Sequence, residues 1–191
     1  MQIIFETPRL IIRQFTEDDA PLILQLNSDP EIVKFVHEPV LTTEEQAKKI
    51  IVDIILPQYK NNLGRWATYT KSNNEFIGWC GLKYIADRDE TDLGYRLIRS
   101  AWGKGFATEA ALNTIDHGFK KLSLDIITGK AHAENTASIN VLKKAGMKFK
   151  RDEIEGGCPI KVFTIAALAQ LSIADYCSIF FKNLHIKKNI Y

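Results

Sequence analysis

Two glycines on either side of a lysine, in the segment Gly103 to Gly105, are the residues of this chain best suited to binding an anion. The residues from Leu93 to Ile98 alternate with the period of a β-strand, and apolar residues recur at helical spacing from Ala107 to Phe119. Glycine allows close approach to the backbone, and the first N–H groups of a helix lack partners within it. The pattern predicts a phosphate-binding turn between a strand and a helix, although a turn without a ligand would use the same glycines.

Two other phosphate-binding folds are disfavoured by the same segment. Gly103, Gly105 and Thr108 fall at the positions of G-x-G-x-x-G, and Asp125 stands where an acid might bind a ribose. However, Thr108 replaces the third glycine, and Asp125 begins a predicted strand, whereas the ribose-binding acid ends one. A P-loop is disfavoured because Lys104 is followed by glycine instead of serine or threonine.

Composition indicates one domain with a sizeable core. The chain has 191 residues, of which 46% are hydrophobic, and its 25 basic and 23 acidic residues leave a net charge of +2, which argues against nucleic-acid binding. Cys80, Cys158 and Cys177 are widely spaced, which indicates neither a disulfide framework nor a metal site. We therefore expect a cytoplasmic protein, since charged residues also stand too early for a signal peptide.

The elements that position the glycine turn belong to a mixed α/β pattern. Phe5 to Phe15 predicts one strand, and Thr16 to Asp19 offer caps for a short helix. A second helix begins at Thr42 or Thr43, which have capping-box spacing to Glu45 and Gln46. Further strands are predicted at Arg65–Thr70, Phe76–Ile85, Thr91–Ile98, Leu124–Lys130, Met147–Ile154 and Ile160–Ile165, with a turn at Gly156-Gly157 and a helix from Asn135 to Gly146.

The boundary between the domain and its tail is predicted near residue 166. Residues 1–166 form the domain, with a mostly antiparallel sheet flanked by helices. Residues 167–191 are expected to be a helical extension that packs on the domain or at a dimer contact, with a membrane-surface segment as the alternative. The apolar stretch from Ala166 to Phe181 is short for a bilayer span and is interrupted by Gln170 and Asp175, so a membrane partner is not expected.

Three motifs in order resemble the GNAT acetyltransferase superfamily, specifically its branch of ribosomal-protein N-terminal acetyltransferases. They are E-T-P-R-L-I-I-R-Q-F near the start, L-G-Y-R-L…A-W-G-K-G-F-A-T-E-A in the middle, and A-E-N-T-A-S-I-N-V-L-K-K-A-G-M-K-F after it. The resemblance covers about Phe5 to Ile165. Ser100 stands where the family has a long polar side chain, and Met147 stands where phenylalanine is commoner.

The resemblance implies a GNAT fold and acetyl-CoA as co-substrate, with no metal. The diphosphate would lie on backbone amides from Trp102 to Ala107, and the pantetheine arm would lie along Asp92–Ile98 toward the Leu124–Lys130 strand. The cofactor-binding residues implied are Ile98, Trp102, Gly103, Lys104, Gly105, Phe106, Ala107, Thr108 and Asn135.

The resemblance also implies catalytic residues on either side of the glycine turn. Asp92, or Glu90 on the same face two residues earlier, would act as base directly or through water. Ser138 matches the hydroxyl proposed in this branch to protonate the leaving CoA thiolate, and it shares the first helical turn with Asn135. His132 and Glu134 are an alternative for proton handling.

The expected activity is acetyl transfer to a primary amine, chiefly a protein or peptide α-amine. At pH 7, deprotonation of an amine with a pKa of about 8 costs about 1.4 kcal/mol, whereas deprotonation of a lysine with a pKa of about 10.4 costs roughly 4.6 kcal/mol. The alternatives are a small-molecule acceptor, such as a polyamine or aminoglycoside, and a non-catalytic acyl-CoA sensor. The resemblance is consistent with a homodimer, and residues Asp29 to Leu63 are expected to build the acceptor pocket.

Overall fold

The computed structural model describes residues 2–36 and 38–167, and an eight-stranded sheet organises them. The strands lie in the order β1-β2-β3-β4-β5-β6-β8-β7, and every neighbouring pair is antiparallel except β5 with β6. The sheet therefore confirms the mixed α/β, mostly antiparallel prediction. Its strands are β1 (Ile3–Glu6), β2 (Leu10–Arg13), β3 (Gly64–Thr70), β4 (Phe76–Ile85), β5 (Glu90–Leu97), β6 (Ile126–His132), β7 (Lys148–Glu155) and β8 (Cys158–Ala166).

The described ranges also contain five α-helices: α1 (Ala20–Asn27), α2 (Pro30–Val33), α3 (Glu44–Ile50), α4 (Phe106–Leu122) and α5 (Thr136–Lys144). Of the two predicted starts of α3, Thr43 is the cap, since its side chain accepts from the Gln46 amide in a capping box. After α3 the chain continues through a π-helical turn at Ile51–Ile55 and a 3-10 helix at Leu56–Asn61.

Each face of the sheet has its own apolar core. Helices α4 and α5 contribute residues such as Ile115 and Leu142 to a core that also contains Leu93 of β5. Helices α1 and α3 pack on the opposite face, where Trp79 of β4 lies among their apolar residues. The alternation of side chains along β4 and β5 thus assigns successive residues to two different environments.

The single strand predicted from Phe5 to Phe15 is wrong. The chain turns at Thr7–Arg9, where the Thr7 hydroxyl accepts from the Leu10 amide at 2.9 Å, and β1 pairs with β2 as a hairpin. A continuous run of strand-forming residues did not indicate this turn. The predicted strand at Leu124–Lys130 begins later, at Ile126, because the Leu124 amide donates to the Gly118 carbonyl and completes the end of α4.

The turn predicted at Gly156-Gly157 is confirmed, and it joins β7 to β8 with φ values of 57° and 82°. The predictions for the tail after Ala167 lie outside the described residues. Within the described ranges, no helix is both long and apolar enough to cross a membrane.

Candidate active site

A gap opens between β5 and β6, the one parallel pair. The two strands pair only at Asp92 with Thr128 and at Leu93 with Gly129. Strand β5 continues to Leu97 and β6 continues to residue 132, but in the described part of the chain no further residues of the two strands pair. Strand β4 pairs with the other edge of β5, and β8 pairs with the other edge of β6. The backbone N–H and C=O groups that face the gap are therefore available to a ligand that contains amides.

The glycine turn lies at the open end of β5 and leads into α4. Gly103 and Gly105 have φ values of 71° and 80°, a region that favours glycine. A Cβ at Gly103 would meet nothing within 4 Å, so the backbone is open to a ligand. No side-chain hydrogen bond caps α4, and the first amides of this 17-residue helix can bind an anion with the support of the helix dipole. These residues fit a diphosphate.

In the described part of the chain, the amides of the turn that lack a backbone partner begin at Gly103. The Trp102 amide donates to the Arg99 carbonyl at 3.0 Å, and the Ile98 amide donates to the Ile77 carbonyl at 2.9 Å. The Trp102 amide thus has a partner within the protein, and contact of the diphosphate with the other backbone amides of the turn stays a prediction. The Trp102 indole remains half-exposed beside the turn, with its Nε1 donating to the Leu97 carbonyl at 2.8 Å.

Arg9, in the β1–β2 turn, ties this loop to the start of the chain. Its Nη1 donates to the Lys104 carbonyl at 3.0 Å, and its guanidinium lies over the Phe106 ring at 4.6 Å. Its Nε lies 2.5 Å from Oε2 of Glu109, which also accepts from the Thr7 hydroxyl at 2.6 Å through Oε1. Burial alone would raise the pKa of Glu109, but these hydrogen bonds lower it. The sequence motif around Arg9 was noted, whereas this contact was not predicted.

Asn135 and Ser138 lie together at the start of α5, as predicted. Oδ1 of Asn135 accepts from the Ser138 amide at 3.0 Å and caps the helix. Oγ of Ser138 lies 2.9 Å from the hydroxyl of Tyr95, and that hydroxyl donates to the Ser138 carbonyl at 3.0 Å. Since a phenol has one proton, the Ser138 hydroxyl donates to the Tyr95 oxygen in this arrangement. Tyr95 is a site residue that sequence reasoning missed.

Asp92 and Glu90 share the opposite face of β5 and are the two candidate bases. Each has one buried carboxylate oxygen with no hydrogen-bond partner among the described residues, Oδ1 of Asp92 and Oε2 of Glu90. Burial raises the pKa of Asp92 to about 7, although the charges of Lys130 and Arg65 oppose the rise. Oε1 of Glu90 accepts from Arg151 at 3.5 Å. Asp92 is thus the carboxyl that can exchange a proton near neutrality.

Of the two alternative proton handlers, Glu134 is exposed and His132 is held in other contacts. The His132 ring packs against the Phe35 ring with centroids 5.3 Å apart, and its Nδ1 accepts from the Glu134 amide at 3.2 Å. No group of three potential metal ligands of the His, Cys, Asp or Glu type occurs among residues 2–36 and 38–167.

Comparison with known proteins identifies this arrangement. The acetyltransferase (GNAT) domain model matches residues 9–148, and the chain belongs to the GNAT acetyltransferase family. A Bacillus licheniformis protein named as the uncharacterized N-acetyltransferase p20 is 37% identical over 137 residues, which are 71% of this chain and 77% of that protein.

Two solved structures share the fold at low sequence identity. The ribosomal L7/L12 α-N-protein acetyltransferase RimL in complex with coenzyme A has a TM-score of 0.75 and 18% identity, over 86% of this chain and 98% of its own. Spermidine N-acetyltransferase from Vibrio cholerae in complex with CoA and spermine has a TM-score of 0.74 and 17% identity, over 87% and 100%. The chain is therefore an N-acetyltransferase that uses acetyl-CoA, and the ribosomal-protein branch is one of several with this structure.

Proposed function

We propose that this enzyme acetylates a primary α-amine, as at the N-terminus of a protein or peptide, in the cytoplasm. The observation that carries the proposal is the buried Asp92 carboxyl with a pKa of about 7, placed next to the closed end of the β5–β6 gap. The pKa of this base is closer to that of an α-amine, about 8, than to that of a lysine amine, about 10.4. Proton transfer becomes less favourable as the two pKa values separate.

Asp92 receives the proton of the acceptor amine in this proposal, directly or through water. Glu90 supports it from the same face, since the charge of Glu90 is one of those that raise the pKa of Asp92. The bound acetyl-CoA supplies the thioester carbonyl that the amine attacks. Its diphosphate would be held by the backbone from Gly103 to Thr108, with Lys104 adding charge.

Ser138 is the proposed proton donor to the leaving thiolate. It lies near the face of β5 that carries Tyr95, whereas Asp92 projects from the opposite face. A base and an acid on opposite sides of the sheet suit a reaction in the gap between β5 and β6, because the amine and the thiol must separate in different directions. Asn135 fixes the first turn of α5 through its cap and so orients Ser138.

The competing substrate class is a small-molecule amine, which the structural likeness to a spermidine acetyltransferase suggests. The charge of Arg65 acts on Asp92 and disfavours a second positive charge beside it, as in a polyamine, whereas the charge of Lys130 is offset by Glu153 and Glu155. The α-amine proposal therefore fits the charges of this site better. A homodimer is part of the proposal by resemblance, and light scattering would test it.

The test is release of free CoA thiol from acetyl-CoA with matched acceptors. N-terminal peptides, the same peptides blocked at the α-amine but carrying a lysine, spermidine, and an aminoglycoside would be compared. The proposal expects turnover with free α-amines and little with the other three. Preferred turnover of spermidine or of the aminoglycoside would show the small-molecule function, while CoA binding without any turnover would contradict catalysis of this kind.

A further inference from the structure

Arg65 of β3 stands on the face of the sheet that carries Asp92, which is the proposed acceptor side. It pairs with Gly81 of β4, which pairs with Gly94 of β5, so neither of the next two positions across the sheet carries a side chain. Two residues along β5 from Gly94 is Asp92, on the same face. Neighbouring strands are about 4.8 Å apart, so a side chain as long as arginine can span from β3 toward Asp92.

The guanidinium of Arg65 is held in place by an aromatic ring. Its central carbon lies 4.6 Å from the centroid of the Trp79 indole, a distance typical of cation–π stacking. Trp79 is itself fixed against β5, because a Cβ at Gly94 would lie 3.1 Å from the indole. The position of the cation is thus set by rigid parts of the sheet.

Two further cations on this face, Arg96 and Lys130, already have anionic partners. Arg96 donates to Oε2 of Glu38 at 2.8 Å and also to Asn27. Lys130 lies 3.3 Å from Glu153 and 3.1 Å from Glu155. Each of these side chains is therefore committed to a contact within the protein.

Arg65 has no such partner, because in the part of the chain that the structure describes no oxygen accepts a hydrogen bond from its guanidinium. Lys83 of β4, which pairs in register with Asp92, forms no ion pair among these residues either, but its ammonium lacks two parallel donors. Burial lowers the pKa of Arg65, while the charges of Glu38 and Asp92 raise it and that of Arg96 lowers it. An arginine still remains charged at neutral pH. Its five N–H donors are presented toward the acceptor side without an acceptor of their own.

We infer that Arg65 binds a carboxylate of the acceptor, so that the acceptor is a primary amine with a carboxylate close to it. The inference rests on the proposed function, since it assumes that the amine lies at Asp92. A guanidinium binds a carboxylate through two parallel hydrogen bonds, which selects for this group over a neutral amide. The carboxylate could come from a free amino acid or from an acidic residue at the second position of a peptide.

Paired acceptors separate these two sources. The side-chain carboxylate is tested by two peptides with amidated C-termini that differ only by Asp or Asn at the second position. The carboxylate of a free amino acid is tested by comparing serine with serine amide. For the pair that reports the natural source, kcat/KM is expected to be about ten- to a hundredfold higher for the carboxylate member. The Arg65→Gln variant should lose this preference while its affinity for CoA stays unchanged.

Two further variants control for charge and for folding. Arg65→Lys keeps the charge without the two parallel donors, and an intermediate preference is expected. Lys71→Gln removes a cation in the turn after β3, where Lys71 pairs with Glu6 at 2.7 Å, and should leave the preference intact. Equal kcat/KM for both members of each pair in the wild-type enzyme, or an unchanged preference in Arg65→Gln, would overturn the inference.

A binding measurement keeps the inference testable if no acceptor turns over. Calorimetric titration of the CoA-loaded protein with each pair should show tighter binding of the carboxylate member, lost in Arg65→Gln. Absence of turnover with this binding preference would contradict the proposed function alone, whereas equal binding of both members would contradict the role of Arg65.

Discussion

The hydroxyl of Tyr95 lies 2.9 Å from Oγ of Ser138 and donates to the Ser138 carbonyl at 3.0 Å. Strand β5 thereby holds the first turn of α5 by two contacts to one residue. Burial raises the pKa of Tyr95 above its ordinary value, so the phenol stays protonated and Ser138 keeps its orientation through the neutral range. Tyr95 is a positioning residue for the proposed acid.

Replacing Tyr95 with phenylalanine removes this orientation while keeping the ring. We expect Tyr95→Phe to lower kcat by about tenfold, the effect of one hydrogen bond, with little change in CoA affinity. Ser138→Ala should lower kcat by about ten- to a thousandfold. Because Tyr95 acts through Ser138, the double variant should be no slower than Ser138→Ala.

Tyr84→Phe is the matched control, since Tyr84 is exposed and its hydroxyl donates to Asp89 at 2.8 Å on the surface. Thiol release under saturating acetyl-CoA measures kcat for all four variants. Losses that multiply in the double variant would show that Tyr95 acts independently of Ser138.

The raised pKa of Asp92 predicts a pH-dependent activity. Asp92 accepts a proton only when it is ionised, so kcat/KM should rise with pH through a step near 7, in addition to the rise caused by the amine itself. Asp92→Asn should remove the step near 7, keep the rise due to the amine and lower kcat by about a hundredfold. Asp152→Asn, at an exposed residue paired with Lys161, should keep the wild-type profile.

Stability gives a second readout for Asp92. Its pKa is raised on folding from the ordinary value of 3.8 to about 7, so between these values the folded state holds a proton that the unfolded state has lost. The free energy of unfolding should therefore fall as pH rises from about 4 to 7, and this contribution should be absent in Asp92→Asn. Parallel denaturant curves for both proteins across this window would contradict the assignment.

The glycine turn predicts a variant that fails at cofactor binding alone. Gly105→Glu places a carboxylate where the diphosphate should lie, and we expect CoA affinity to fall by about a hundredfold or more. Part of any effect could come from a side chain at a φ of 80°, so Gly157→Glu, at a φ of 82° in the β7–β8 turn, is the control. It should lose stability and keep CoA affinity, as measured by calorimetry. Equal CoA affinity in Gly105→Glu and Gly157→Glu would show that the glycine turn is not part of the cofactor site.

Local patterns of the sequence were sufficient for much of the fold and for part of the site. The cap at Asn135, the capping box at Thr43 and the glycines at 103 and 105 depend on residues only a few positions apart, and each occurs as predicted. Strand bounds differ by one or two residues, and the first strand is divided by a turn.

Contacts that depend on strand order were out of reach of these patterns. Tyr95 and Ser138 are 43 residues apart, and Arg9 and Glu109 are 100 apart. Each pair meets only because the sheet brings distant segments together, and nothing in the spacing of either residue indicates its partner. The gap between β5 and β6 likewise arises because these two strands diverge. Their sequences do not differ in pattern from those of strands that pair along their whole length.

The contact of Arg9 with the loop predicts that a residue in the first hairpin controls cofactor affinity. Arg9→Gln removes the hydrogen bond to the Lys104 carbonyl and the ion pair with Glu109, so the loop loses its tie to β1 and β2. We expect CoA affinity to fall by about tenfold, because an Arg–carboxylate pair of this kind contributes on the order of 1.5 kcal/mol, while kcat at saturating acetyl-CoA stays the same.

Arg9→Lys distinguishes a positional role from a direct charge on the diphosphate. Lysine keeps the positive charge but cannot bond the Lys104 carbonyl and Glu109 together through a planar fork, so a positional role predicts weak CoA binding in Arg9→Lys as well. Lys71→Gln, which removes a cation paired with Glu6 in the same part of the sheet, should bind CoA normally. Wild-type affinity in Arg9→Lys together with a loss in Arg9→Gln would show that Arg9 acts on the cofactor by charge, and wild-type affinity in both would show that the loop holds its shape without Arg9.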